Sequence, residues 1–203
     1  MIFDWSAFFN GFGTGAGLII AIGAQNAFIL KQAILRNHVL TIAIVCSIVD
    51  TVLILCGVFG FATLLESSPI LIQIAKWGGF IFLGIYGLRS FLAMRKSHAI
   101  ELDKSKKKPS WRKIIALTLA FSLLNPHVYL DAVVLLGSIS SQFPDAEQPS
   151  FAVGACLASI TWFFSLCYGA QYLAPFFTNP KSWKILDFLV GVIMWAIAAA
   201  ILM

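Results

Sequence analysis

"SLLNPHVYLDAVVLLG" (residues 122–137) is an apolar run broken in its middle by an Asn-Pro pair, with a His and an Asp close behind. Proline lacks an N–H and clashes with the preceding turn, so a helix opens here and leaves carbonyls unpaired. Inside hydrocarbon such groups must face protein or a polar cavity. Asp131 sharpens the demand, since a carboxylate near a bilayer centre costs about 2.5–3.5 kcal/mol on insertion scales. A proline kink alone is a common packing device. A kink surrounded by Asn125, His127 and Asp131 points to a polar site within the membrane, and the spacing lets His127 and Asp131 share a helical face.

The rest of the chain makes lipid its solvent. Of 203 residues, 60% are hydrophobic and 11% charged, with a mean hydropathy of +0.90. Soluble domains hold about 45–50% apolar and about 25% charged residues. The reading is an all-α polytopic membrane protein. Six segments suit spans of about 20 residues: 8–30, 39–63, 70–94, 114–137, 151–173 and 185–203. Short polar connectors separate them, except for "RKSHAIELDKSKKKPSWRK" (95–113), a solvated linker near the midpoint. This divides the chain into a first three-helix repeat (1–94), the basic linker (95–113) and a second three-helix repeat (114–203). An odd number of crossings per half forces the halves into inverted topology, an architecture of many secondary transporters.

Twelve of the fourteen basic residues fall in the first, third and fifth connectors, while Asp4, Glu66, Asp145 and Glu147 lie on the other side. The positive-inside rule then places the linker in the cytoplasm and both termini outside. The net charge of +5 therefore reflects orientation rather than nucleic-acid binding, although the linker could also bind anionic lipid. The start "MIFDWSAFFN" has no positive n-region, so no removable signal peptide is expected. In the first segment "GAQN" (23–26) matches the position of "LNP" (124–126) in the fourth, and it could make that segment re-entrant.

Asp50 is the second carboxylate deep in a span. In "CSIVDTVLILCG" (46–57) Ser47, Asp50 and Thr51 share one helical face, continued by Ile54 and Gly57, so the polar part turns inward. An Asp serving only assembly is the alternative, but intramembrane ionisable groups mark pathways by default. Gln25 and Asn26 play the matching part in the first segment. Gly11/Gly15 and Gly13/Gly17 stand at GxxxG spacing, which ordinarily marks close helix contact. Ser159, Thr161, Trp162 and Ser165 give the fifth segment a mildly polar stretch. Cys46, Cys56, Cys156 and Cys167 form no CxxC pair and read as small hydrophobes, and a single His within the segments argues against a metal site. No cofactor is implied.

At "IGAQNAFIL" (22–30), "SIVDTVLILCGVFG" (47–60) and "LNPHVYLDAVVLLG" (124–137) the chain resembles the lysine exporter (LysE) family, most closely its arginine exporter branch. The similarity runs through nearly the whole chain. The resemblance implies export of basic amino acids across the bacterial inner membrane, driven by proton or potential gradients. It maps the family's characteristic positions onto Gln25, Asn26, Asp50, Asn125, Pro126 and Asp131. One departure is Ala24, where many members have Pro, leaving the first break to Gly23 and the Gln/Asn side chains.

Read from the residues, two membrane carboxylates offer counter-charge to a guanidinium or ammonium, and no basic residue lies mid-span to neutralise them. The mechanistic expectation is that Asp50 or Asp131 alternates between cationic substrate and proton. The alternatives are export of neutral amino acids and an intramembrane aspartyl protease, which also uses two membrane Asp residues but within Tyr-Asp and Gly-x-Gly-Asp contexts absent here. A thiol-redox carrier would need paired reactive cysteines. Oligomeric state is left open.

Overall fold

The computed structural model describes residues 3–20, 23–60, 69–95 and 109–202. They form α1 (Trp5–Ile19), α2 (Ala24–Ile34), α3 (Val39–Val58), α4 (Pro69–Arg95) and α5 (Trp111–Leu123). A short α6 (Pro126–Tyr129), a π-helical turn (Leu130–Leu135) and α7 (Leu136–Ser140) come next. The chain ends in α8 (Gln148–Gly169), a 3-10 stretch (Ala170–Thr178) and α9 (Pro180–Leu202). No strand occurs among the described residues.

Among the described residues four stretches are long and apolar enough to cross a membrane: Val39–Val58, Lys76–Met94, Gln148–Phe177 and Lys181–Ile201. The first expected segment is two helices, α1 and α2, whose axes differ by 80°, and counting that pair as one span gives five. The fourth expected segment, 114–137, is broken into α5, α6, the π turn and α7. Its longest piece has 13 residues, about 20 Å of helix against roughly 30 Å of hydrocarbon. The breaks fall where the sequence places them, at Gly23 and at Asn125-Pro126. Most of the basic linker, residues 96–108, lies outside the described residues. At its far end His38 Nε2 sits 2.8 Å from the Pro109 carbonyl, and the Arg112 guanidinium lies over the Trp111 ring.

Glycines set how the helices meet. Asp4 caps α1 by accepting from the Ala7 N–H at 2.7 Å, and its own N–H donates to Ser150 Oγ at 3.1 Å, so α1 and α8 start together and run parallel. A Cβ on Gly11 would stand 2.0 Å from the Phe151 carbonyl oxygen, and one on Gly154 would stand 2.1 Å from that of Phe8. Gly15 closes on Ala155 in the same way, whereas Gly13 and Gly17 meet nothing within 4 Å. Among the described residues only one of the two GxxxG stripes is thus an interface. On the other flank Gly57 of α3 closes on Ala132 and Val133 of the π turn, with Gly137 against the Gly57 backbone. Helices α4 and α9 pack antiparallel, Gly87 against Trp195, whose Nε1 donates to the Gly84 carbonyl at 3.1 Å, while a Cβ on Gly79 would stand 2.0 Å from the Leu124 carbonyl oxygen just past α5.

Candidate functional site

Between the two breaks lies a cavity of about 320 Å³, at the small end of ligand-sized pockets. Gln25, Asn26, Asp50, Asn125 and Asp131 all line it, and so does Ser159. Ile19, Ile54, Leu136, Ala155 and Ile197 are among its apolar walls, and no basic side chain is among the described residues lining it. Eight helical pieces contribute (α1, α2, α3, α6, the π turn, α7, α8 and α9), which is why no single stretch of sequence contains the site.

Each polar group is aimed by a local device. The break before α2 leaves Gly23 extended as N-cap (φ −106°, ψ 178°), and Gln25 and Asn26 stand in the first turn. Asn26 Nδ2 donates back across the break to the Ile19 carbonyl at 2.9 Å, holding the end of α1 over the start of α2. Trp162 Nε1 donates to Asn26 Oδ1 at 3.3 Å, so this tryptophan supports the break from α8. Gln25 Nε2 donates to Ser122 Oγ at 3.0 Å, joining the two interrupted helices directly. The hydroxyl of Tyr129 donates to the Leu123 carbonyl at 2.8 Å, taking up one of the acceptors that the Asn-Pro break releases.

Asp50 lies on the inward stripe of α3, 7% exposed, with Ser47, Ile54 and Gly57 also buried. Ser159 Oγ donates to Asp50 Oδ2 at 3.1 Å from α8, which runs antiparallel to α3. One turn earlier the Ser47 hydroxyl is buried without a hydrogen-bond partner among the described residues. Asp131 sits in the π turn Leu130–Leu135. A π turn carries one residue more than an α turn and so rotates the helix on its N-terminal side relative to the helix on its C-terminal side. Asp131 and Leu136 both face the cavity although they sit five residues apart. Pro126 opens α6, while its side chain and that of His127 lie outside the described residues, so the face expected for His127 with Asp131 does too.

Three partnerships are not visible from the sequence. Ser159 shows there only as part of a polar stretch, and Ser122 does not stand out at all. The third is an ion pair between Lys31 on α2 and Asp187 on α9. Asp187 stands two residues inside the expected last segment, where it passes for an interfacial charge, yet it is 7% exposed.

Two interrupted helices meeting at a polar cavity, with carboxylates on its wall and apolar helices all round, define a membrane transport protein. The chain matches the model of the LysE type translocator family over residues 16–203 and belongs to that family. It is similar to the arginine exporter protein ArgO of Pectobacterium carotovorum, 42% identical over 195 residues covering 96% of this chain and 95% of the relative. The ArgO protein of Salmonella enteritidis is 44% identical over 195 residues (95% and 92%), and that of Escherichia coli O157:H7 is 43% identical over 196 (96% and 92%). No solved structure matches. The chain is accordingly a multi-pass transporter rather than an enzyme, which removes the aspartyl protease alternative.

Proposed function

We propose that the protein is a secondary exporter of basic amino acids, arginine or lysine or both, across the bacterial inner membrane. The observation that carries this is one cavity lined by both Asp50 and Asp131 without a basic side chain among its described lining residues. Two carboxylates at a site of low dielectric attract a guanidinium or ammonium strongly, and a guanidinium adds paired hydrogen bonds. Gln25, Asn26 and Asn125 supply donors and acceptors for the α-carboxylate and α-amino groups. The N-terminal turn of α2 at Gly23 and Gln25 adds a positive dipole end suited to the α-carboxylate. Pro126 acts by keeping the second helix open. The names of the relatives agree with the cationic substrate.

Driving force depends on charge. Moving one positive charge outward against an inside-negative potential costs about 2.3 kcal/mol per 100 mV. Exchange for one incoming proton carried on Asp50 or Asp131 cancels that charge movement.

In this reading six spans form two inverted repeats, 1–94 and 114–203, with the broken runs α1–α2 and α5–α7 as first and fourth spans. Packing supports it. Helix α3 meets α8 antiparallel, α4 meets α9 antiparallel, and each broken run leans on the middle helix of the other half. A two-fold axis in the membrane plane relates elements in this way. The distribution of Lys and Arg orients the protein with both termini outside and the linker 95–113 in the cytoplasm.

The test is counterflow in proteoliposomes with a panel of basic and neutral amino acids at imposed pH gradients. Basic amino acids should exchange, and the Asp50→Asn and Asp131→Asn variants should each lose at least tenfold in rate. Unchanged transport by both variants removes the carboxylates from the mechanism, and exchange of neutral amino acids alone overturns the substrate class.

A further inference from the structure

Three helices carry the same sequence of layers away from the cavity. Along α2, Gln25 and Asn26 line the cavity, Phe28 and Ile29 are fully buried, and Lys31 comes after them. Along α9 in reverse, Ile197 lines the cavity, Met194 and Val190 are buried, and Asp187 comes after them. Along α5 in reverse, Ser122 hydrogen-bonds cavity-lining Gln25, Phe121 and Ile114 are buried, and Lys113 comes next. The middle layer is an aromatic plug: Phe28 stacks on Phe121 with ring centroids 4.6 Å apart, and Tyr86 meets Phe121 edge-on at 4.8 Å. Beyond it stands the Lys31–Asp187 ion pair, and beyond that the basic connectors. The way from the cavity to the basic face is therefore closed by an apolar layer with an ion pair as its outer cap.

We propose that Asp187 is the first docking site for the cationic group of the substrate on the basic face, and that Lys31 is a tethered cation holding that site until the substrate displaces it. The inference rests on the reading of the protein as an exporter of basic amino acids. Its chemistry is that of exchange. A primary ammonium on a flexible stem pairs with Asp187 as a point charge, whereas an incoming guanidinium or ammonium can take over the same carboxylate. Because α2 begins at the break and carries Asn26 on its first turn, freeing Lys31 also frees the far end of the helix whose near end lines the cavity. A cation arriving at Asp187 thus unlatches the element that must move to admit it. The side chains of Lys31 and Asp187 are only 17% and 10% exposed, so carboxylate and ammonium depend on each other and neither is redundantly solvated.

The experiment measures concentration dependence of arginine and lysine exchange in right-side-out and in inside-out membrane vesicles, for the wild-type protein and three variants. Lys31→Gln removes the competitor and should lower the half-saturation concentration several-fold in one vesicle orientation only. Asp187→Asn leaves an unneutralised Lys31 and should raise it at least fivefold in that same orientation. Lys31→Arg keeps the ion pair and the fold but holds the carboxylate by paired hydrogen bonds, so it should also raise half-saturation in that orientation. A merely structural pair gives a different pattern: Lys31→Gln and Asp187→Asn then move together, in both orientations, and Lys31→Arg behaves as wild type. That result, or loss of folded Lys31→Gln together with a wild-type Lys31→Arg, overturns the docking site while the exporter reading stands. Exchange of neutral amino acids alone by the wild-type protein overturns both.

Discussion

Ser159 on α8 donates its hydroxyl to Asp50 on α3 at 3.1 Å, and both residues line the cavity between the two helix breaks. The bond ties α3 to α8 across that cavity. It also fixes the position of one carboxylate oxygen, Oδ2.

Replacing Ser159 by Ala should therefore disturb the aim of Asp50 without opening a large void. A hydrogen bond to a charged group contributes about 1.5–3 kcal/mol, and at the lower bound the loss corresponds to about tenfold in transport rate. Ser159→Thr keeps the hydroxyl and should retain most activity. Counterflow of the purified variants in proteoliposomes measures both, and a fully active Ser159→Ala protein would show that the bond has no part in transport.

The two glycine stripes of α1 give an internal control on packing. Gly11→Ala puts a methyl 2.0 Å from the Phe151 carbonyl oxygen, where backbone must shift. Overpacking of this kind costs about 1–3 kcal/mol, which for a chain of this size lowers the melting temperature by roughly 2–12 °C. Gly13→Ala meets nothing within 4 Å and should melt at or slightly above the wild-type temperature, since alanine is the better helix former. Thermal unfolding in detergent distinguishes the pair, and equal melting points would contradict the close α1–α8 contact.

Which residues surround the cavity was legible in the sequence because lipid makes polar groups conspicuous. Asp50, Asp131, Gln25, Asn26 and Asn125 stand out against apolar neighbours, and all five line one cavity. Partners were not legible. Ser159 and Ser122 are small residues tolerated on any span, and only the crossing of α3 with α8, or the meeting of α2 with α5, reveals what their hydroxyls bind. Asp187 escaped for a different reason: a carboxylate near a segment end looks solvated until the helix facing it is known. Helix continuity was legible only in part. The break at Asn125-Pro126 shows in the sequence, but the π turn over Leu130–Leu135 leaves no mark in composition.

Thiol chemistry has no role in the proposed cycle. Cys46 and Cys167 are buried, Cys56 and Cys156 partly so, and all four are free thiols. Replacing all four by Ala should leave counterflow of basic amino acids within about twofold of wild type, the modest loss coming from small changes in packing. Loss of exchange with folded protein, restored by returning one particular cysteine, would give that thiol a function the proposed mechanism lacks.

The sharpest test of geometry lies in the π turn. Deleting Val134 removes the extra residue and lets the helix from Pro126 onward continue as α-helix, with backbone pairing kept. Asp131 and Leu136, five residues apart in the π turn, then stand four apart in an α-helix and still share a face. Exchange by the deletion variant should therefore stay close to that of wild type. Inserting one alanine after Leu135 of the wild-type chain instead turns Asp131 by about 100° relative to α7, because each added helical residue turns the chain by that much. Gly137 stays against Gly57 in this register, and Asp131 leaves the cavity wall. Helix content by circular dichroism should be unchanged while exchange falls at least tenfold, approaching that of Asp131→Asn. An insertion variant that transports at the wild-type rate would mean that the orientation of Asp131 set by this turn is irrelevant to the cycle.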